Sequence, residues 1–213
     1  MYKDRYDAAK KLIPELEKYK GNKDAIILAI PRGALELGVV LRDELSLPLD
    51  IVVTKKIGAP GNEEYAIGSV GPDGESQISK EATTAYGIPQ EYIDDEAQRL
   101  KHVIKRRYED YRGDKELPDL KDKIVIVVDD GIATGFTTLA AVQYIRRQKA
   151  KKIVLAVPVA ATDSYEKLKK EVDEMICLDV REDFFAVGQF YQTFGQVSDD
   201  EAKKMLDFTN RDS

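Results

Sequence analysis

One histidine, one cysteine and no tryptophan leave this chain of 213 residues short of the side chains that much enzyme chemistry uses. The lone Cys177 allows neither an internal disulfide nor a cysteine-ligated metal cluster. The lone His102 removes Ser-His-Asp and histidine-metal arrangements, and it falls in a basic helical stretch where a surface place is expected. No apolar run approaches the roughly 20 residues of a membrane span. The first residues are charged and helical in pattern, unlike a signal peptide, so a cytoplasmic protein with no membrane partner is expected. Acids outnumber bases, 39 to 33, and the net charge of -6 argues against a nucleic-acid surface.

What is present describes a soluble globular chain, 43% hydrophobic and 34% charged, long enough for one α/β domain with an excursion. Its most informative stretch is residues 124–138, I-V-I-V-V-D-D-G-I-A-T-G-F-T-T. Five β-branched residues suit an inner strand of a parallel sheet, buried on both faces. Asp129 and Asp130 stand where that strand must end, small polar residues follow, and residues 139–147 resume a helical pattern. Unpaired amides at a helix start, with the helix dipole, favour a phosphate. The Thr134 and Thr137 hydroxyls could join those amides, and two ionised carboxylates, acceptors only, suit neighbouring sugar hydroxyls.

Strand and helix alternate along the rest of the chain. Residues 2–19 have helical spacing and are expected on the sheet edge; residues 25–30 read as a strand running into Pro31-Arg32-Gly33, and Ala34–Leu45 as a buried helix. A glycine at that turn and the forked cation of Arg32 suit a pyrophosphate, although an ordinary turn with a surface arginine has the same pattern. Residues 49–53 form a third apolar run ending in Thr54-Lys55-Lys56, where adjacent lysines usually mean solvation. Residues 57–75 hold so many Gly and Pro that a loop followed by a short strand at 65–70 is expected. Residues 89–112 read as a long amphipathic helix opened by Pro89. Two further strands are expected at 152–159 and 175–180, flanking a helix at 162–171 capped by Thr162 or Asp163. The fold class is therefore α/β: a parallel twisted sheet with helices on both faces and ligands at the carboxyl ends of its strands.

The stretch 124–138 resembles the phosphoribosyl pyrophosphate signature of type I phosphoribosyltransferases: four apolar residues, two acids, three variable residues, then T-G-x-T. That resemblance implies that Asp129 and Asp130 hold the ribose hydroxyls and that Gly131, Ile132, Ala133, Thr134, Gly135, Phe136 and Thr137 surround the 5-phosphate. It makes Arg32 and Gly33 a pyrophosphate loop, with Lys55 and Lys56 as further pyrophosphate cations. Residues 57–80 become a lid that excludes water from the activated ribose, with Glu63 or Glu64 as its acid. Residues 89–112 become an inserted helix and 181–213 a hood, all within one domain spanning 1–213.

Residues 181–194 hold four of the six Phe, so they close a core or stack on a planar ligand. Their F-x-V-G element looks like the base-binding edge of 6-oxopurine phosphoribosyltransferases, which implies that Phe185 stacks on a base while Ala186 and Val187 offer backbone contacts. Three departures run against a hypoxanthine or guanine enzyme: Gln192, the apolar segment Val157-Pro158-Val159-Ala160, and Ala133 each replace a functional residue of that group. Ala133 agrees instead with adenine phosphoribosyltransferases. The implied reaction is Mg²⁺-dependent transfer of a phosphoribosyl group from phosphoribosyl pyrophosphate to a nucleobase of purine type, as in nucleotide salvage. The competing reading is a regulatory or nucleotide-sensing protein that keeps the site without turnover. A homodimer is compatible with the sequence, which fixes no oligomeric state.

Overall fold

The computed structural model describes residues 1–113 and 115–206, with Glu64 through its backbone alone. Five strands, β1 (Ala25–Ala29), β2 (Leu49–Ile51), β6 (Ile124–Val128), β7 (Lys152–Ala161) and β8 (Glu174–Arg181), form a parallel sheet in the order β2-β1-β6-β7-β8. Alternate residues of the inner strands feed two separate cores. Ile27, Ala29, Ile126, Val128, Val154 and Ala156 join the first, while Ile26, Leu28, Val125, Val127, Ile153 and Leu155 join the second. Burial on both faces is the reason these strands are apolar without interruption.

Helices α1 (Arg5–Leu16) and α2 (Ala34–Leu45) cover the first face, and α5 (Phe136–Arg147) and α6 (Thr162–Leu168) the second. Cutting Ile126 or Ile145, both fully buried, back to alanine would cost about 2–5 kcal/mol. The edge placement expected for the first helix is corrected: α1 lies beside α2 and over β7 and β8. Ala8, Ala9, Leu12 and Leu16 give it a fully buried stripe that an edge position would expose. Its N-cap, Asp4, accepts from Asp7 N at 2.8 Å. α6 has Ala161 as its N-cap, without a side-chain cap, because β7 runs on to that residue.

The Gly- and Pro-rich stretch is more regular than expected. It forms a three-stranded antiparallel sheet of β3 (Lys55–Ala59), β4 (Asn62–Val70) and β5 (Ser76–Ile78). The breakers Pro60-Gly61 and Gly71 to Gly74 fall at its turns, so they end strands rather than prevent them. A short helix, α3 (Lys80–Tyr86), follows, capped by Ser79 accepting from Ala82 N at 3.2 Å. The long helix α4 (Gln90–Arg112) begins after Pro89, as expected, and His102 is exposed on it. A buried Arg112–Asp50 ion pair and a hydrogen bond from Val53 N to Tyr108 Oη, 2.9 Å, tie α4 to β2 and the residues that follow it. The last described helix, α7 (Asp199–Met205), seats Ala202 and Leu206 in the first core. Among the described residues no helix is long and apolar enough to cross a membrane.

Candidate active site

At the carboxyl ends of β1, β2 and β6 a cleft of about 440 Å³ gathers Arg32, Gly33, Thr54, Lys55, Lys56, Asp129 to Gly135, Thr137, Thr138 and Val187. The parallel register places it: Ala29 pairs with Val128, so the turns after β1 and β6 leave the sheet side by side. Asp129 accepts from Asp130 N at 2.9 Å and from Thr138 Oγ1 at 3.2 Å. Asp130 Oδ2 accepts from Arg5 Nε at 2.7 Å, and Tyr191 Oη donates to the Asp130 carbonyl at 2.5 Å. Burial, with the adjacent Asp130 charge, pushes the Asp129 carboxyl well above the usual carboxylate range. Burial also raises Asp130, and the Arg5 guanidinium opposes that rise.

The loop after the acids separates into an anchored part and an open part. Ile132 N donates to Val159 O and Ala161 N donates to Ile132 O, both at 2.9 Å, so Ile132 is stitched to β7 and buried. Its amide is therefore already used, although the residue still lines the cleft. Ala133 and Thr134 are exposed, and Gly135 stands at φ +75° as the N-cap of α5, a conformation L side chains rarely adopt. Among the described residues the amides of Thr134, Gly135, Phe136 and Thr137 donate to no backbone carbonyl. With the α5 dipole behind them, they are ready donors for an anion.

Across the cleft, the Pro31–Arg32 peptide is cis, and Gly33 opens α2. A Cβ on Gly33 would run into the Asp130 carboxylate and the Arg5 guanidinium, so this glycine lets the Arg5–Asp130 pair pass over the turn. Arg32 Nη1 lies 3.5 Å from Asp199 Oδ1. Burial holds the Lys55 ammonium below its ordinary pKa, and the charges of Arg107 and Arg32 lower it further. Thr54 Oγ1 donates to Thr137 O at 3.1 Å and the buried Ser69 Oγ to Phe136 O at 2.8 Å, which fastens the antiparallel sheet to the first turn of α5.

The sequence profile described as the phosphoribosyl transferase domain matches residues 1–193. The chain belongs to that family. TT1426 from Thermus thermophilus is 35% identical to this phosphoribosyl transferase domain, with a TM-score of 0.80 over 96% of this chain and 97% of that one. A Mycobacterium tuberculosis protein, provisionally named a phosphoribosyl transferase, is 35% identical over 212 residues. The match takes in 100% of this chain and 48% of that protein, so the chain spans about half the length of the curated relatives it matches. A hypoxanthine phosphoribosyltransferase from Staphylococcus aureus shares the fold, with a TM-score of 0.51 at 16% identity over 85% of this chain and 75% of its own.

Measured against its expected site, the phosphoribosyl transferase domain brings Asp129, Asp130, residues 131–135, Thr137, Arg32, Gly33, Lys55, Lys56 and Val187 to one cleft, while Phe136 lines the hollows on either side of it. Glu63 lines an adjoining hollow, of about 670 Å³, that shares Lys55 and Lys56 with the cleft and lies beside Tyr92, Glu96 and Arg99 of α4. Tyr92 Oη donates to Gly58 O at 2.9 Å and holds β3 against that helix, which is why Glu63 sits there. The Glu64 side chain and residues 207–213 of the expected hood lie outside the described residues. Phe185 is 90% exposed, Ala186 is exposed too, and neither lines the cleft; Gln189 Oε1 accepts from both their amides, at 2.8 and 3.1 Å. Phe190, not Phe185, closes a core, with Tyr2, Val159 and Tyr191. Sequence reasoning missed Arg5, which lies on the stripe of Ala8, Ala9, Leu12 and Leu16; a charge on a buried stripe was the available signal.

Proposed function

We propose that this protein transfers the phosphoribosyl group of 5-phosphoribosyl 1-pyrophosphate to a ring nitrogen of a nucleobase, of the purine class, and releases pyrophosphate. One observation carries the reading: an acid pair and a row of uncommitted amides line one cleft together with Arg32, Lys55 and Lys56. The amides of 134–137 and the Thr134 and Thr137 hydroxyls hold the 5-phosphate. Asp129 and Asp130 hold the ribose 2- and 3-hydroxyls and stabilise positive charge at the anomeric carbon as its bond to pyrophosphate breaks. Arg32 and Lys55 take up the charge of the departing pyrophosphate, while the base nitrogen forms the new bond. Arg5 acts through Asp130 as a positioning residue.

Mg²⁺ belongs to this reading, since a hard cation prefers oxygen ligands and neutralises leaving phosphate charge. Among the described residues no group of three or more His, Cys, Asp or Glu is placed to hold a metal. The donor set fits a cation bound by Asp129 or Asp130 together with the substrate's own oxygens. We take residues 57–80 as a lid over the cleft, 89–112 as an insert and the residues from 181 as a hood, in one domain acting in the cytoplasm. Val187 at the cleft wall is the base-side residue best supported; Phe185 reaches a base only by folding inward.

The second reading, a nucleotide sensor without turnover, draws support from Glu63, the proposed lid acid, lining not the cleft but the adjoining hollow on the far side of Lys55 and Lys56. Incubation with phosphoribosyl pyrophosphate, Mg²⁺ and a panel of bases, followed by pyrophosphate release, decides between them. Base-dependent release is the expected result. Tight binding of phosphoribosyl pyrophosphate with no release for any base would leave the sensor.

A further inference from the structure

Three side chains from three separate elements meet beside the cleft, Arg32 after β1, Arg107 on α4 and Asp199 at the start of α7, and Lys55 at the start of β3 lies near enough to feel the charge of each. A single oxygen, Asp199 Oδ1, takes Arg107 Nη1 at 2.5 Å, Tyr111 Oη at 2.6 Å and Arg32 Nη1 at 3.5 Å. Arg107 Nη1 also donates to Tyr111 Oη at 2.8 Å. Two cations thus share one carboxylate oxygen, and the half-buried Lys55 adds a third positive charge to the same neighbourhood. Like charges held this close oppose folding unless an anion compensates them, and one acid cannot neutralise three bases. The lowered pKa of Lys55, from burial and then from Arg107 and Arg32, reports the same surplus.

The carboxylate is not what holds α7 in place. Ala202 and Leu206 are fully buried, Ser198 caps the helix by accepting from Glu201 N at 3.2 Å, and Arg42 Nη1 donates to Met205 O at 3.3 Å. Asp199 itself is half exposed. Its side chain can therefore leave the cations while the helix stays docked.

Taking Arg32 and Lys55 as pyrophosphate ligands, a step that rests on the function proposed above, we infer that Arg107 is a further pyrophosphate ligand contributed by α4. Asp199 is its built-in competitor, which occupies Arg107 and Arg32 until the pyrophosphate group displaces it. The insert helix thereby joins the binding site, and the C-terminal helix sets the threshold for filling it. A phosphate monoester bound at the amides of 134–137 feels neither effect.

Calorimetric titration with inorganic pyrophosphate and, separately, with ribose 5-phosphate, both with Mg²⁺, tests this on the wild-type chain, R107Q and D199N. R107Q should weaken pyrophosphate about tenfold, as expected for loss of a charge-assisted hydrogen bond, and leave ribose 5-phosphate unchanged. D199N should tighten pyrophosphate about threefold to tenfold, again with ribose 5-phosphate unchanged. The inference is overturned if R107Q leaves pyrophosphate binding intact or weakens both ligands alike, or if D199N fails to tighten pyrophosphate selectively. Should R107Q not fold, D199N decides alone, since the anchors of α7 remain. Failure of the wild-type chain to bind ribose 5-phosphate would instead remove the proposed function, a different outcome in a different cell of the experiment.

Discussion

On the phosphoribosyl side of the cleft, every approach to the acid pair is already tied: Asp129 to Thr138 and its own chain, Asp130 to Arg5 and Tyr191, Ile132 to β7. On the side of residues 181–190 the ties are local, Arg181 to Asp183 and Gln189 to Asp183, Phe185 and Ala186, and the Phe185 ring stands in solvent. The first side is arranged before any ligand arrives. Of the second, Val187 lines the cleft and Phe185 and Ala186 do not. Preorganised groups contribute most where charge develops, whereas a stacking surface tolerates late assembly, so the contrast matches the division of labour proposed for the two sides.

The largest effect should come from the preorganised side. Asp129→Asn with Asp130→Asn keeps volume but removes both charges, and pyrophosphate release should fall by about a hundredfold or more. A near wild-type rate would mean that the pair only caps the strand. Asp129→Asn alone should raise the melting temperature of the ligand-free chain. Burial lifts the Asp129 pKa, so the fold carries a cost at neutral pH that shrinks as pH falls below the raised value and is gone below the ordinary one.

Next in size is the tie itself. Arg5→Ala leaves Asp130 buried without its partner, and urea unfolding at pH 7 should show a loss of about 3–5 kcal/mol. A loss under about 1 kcal/mol, the range of a surface pair, would erase the contrast between the two sides.

Phe185→Ala probes the other side. An exposed ring should leave folding stability within about 0.5 kcal/mol of wild type. Base affinity should drop by about 1–3 kcal/mol while phosphoribosyl pyrophosphate binding holds steady. Equal losses for both ligands would show that Phe185 does not stack.

The smallest effect is a control remote from the cleft. Burial works against the Glu174 carboxylate, but hydrogen bonds from Lys152, Lys18 and Tyr19 bring its pKa down to about 2. The stability it adds is present above its ordinary 4.5 and is lost as pH falls toward 2. Glu174→Gln should cost about 1 kcal/mol at pH 7, discounted for the partial exposure of Lys18 and Lys152. Its unfolding curve should meet that of wild type near pH 2.

The parallel sheet and the acid loop were legible in the sequence because each is written locally: uninterrupted β-branched runs, then two acids and small residues in register. The antiparallel sheet was not, since its glycines read as breakers until the turns between them are known. Arg5 could be suspected as a charge on a buried stripe, yet its partner lies 125 residues away and no spacing rule joins them. The aromatic density of 181–194 was visible, but density does not say which ring is inside; the F-x-V-G element drew attention to Phe185, and nothing local marked Phe190 as the ring that closes a core.

The chain crosses itself near residue 191, and this sets an order of events during synthesis. Tyr2 N donates to Phe190 O at 2.8 Å, Gln192 N to Tyr2 O and Thr193 N to Lys3 O at 2.9 Å, and Arg5 Nη1 to Gly195 O at 2.8 Å. A nascent chain stopped at residue 189 would possess every strand of both sheets and every residue from 124 to 138. It would still lack the Tyr191 clasp on Asp130 and the carbonyl that steadies Arg5. The ribosome therefore completes the scaffold before it completes the site, because contacts so distant in sequence close last. Until residues 191–195 emerge, the cleft has its acid pair without two of the ties that hold it.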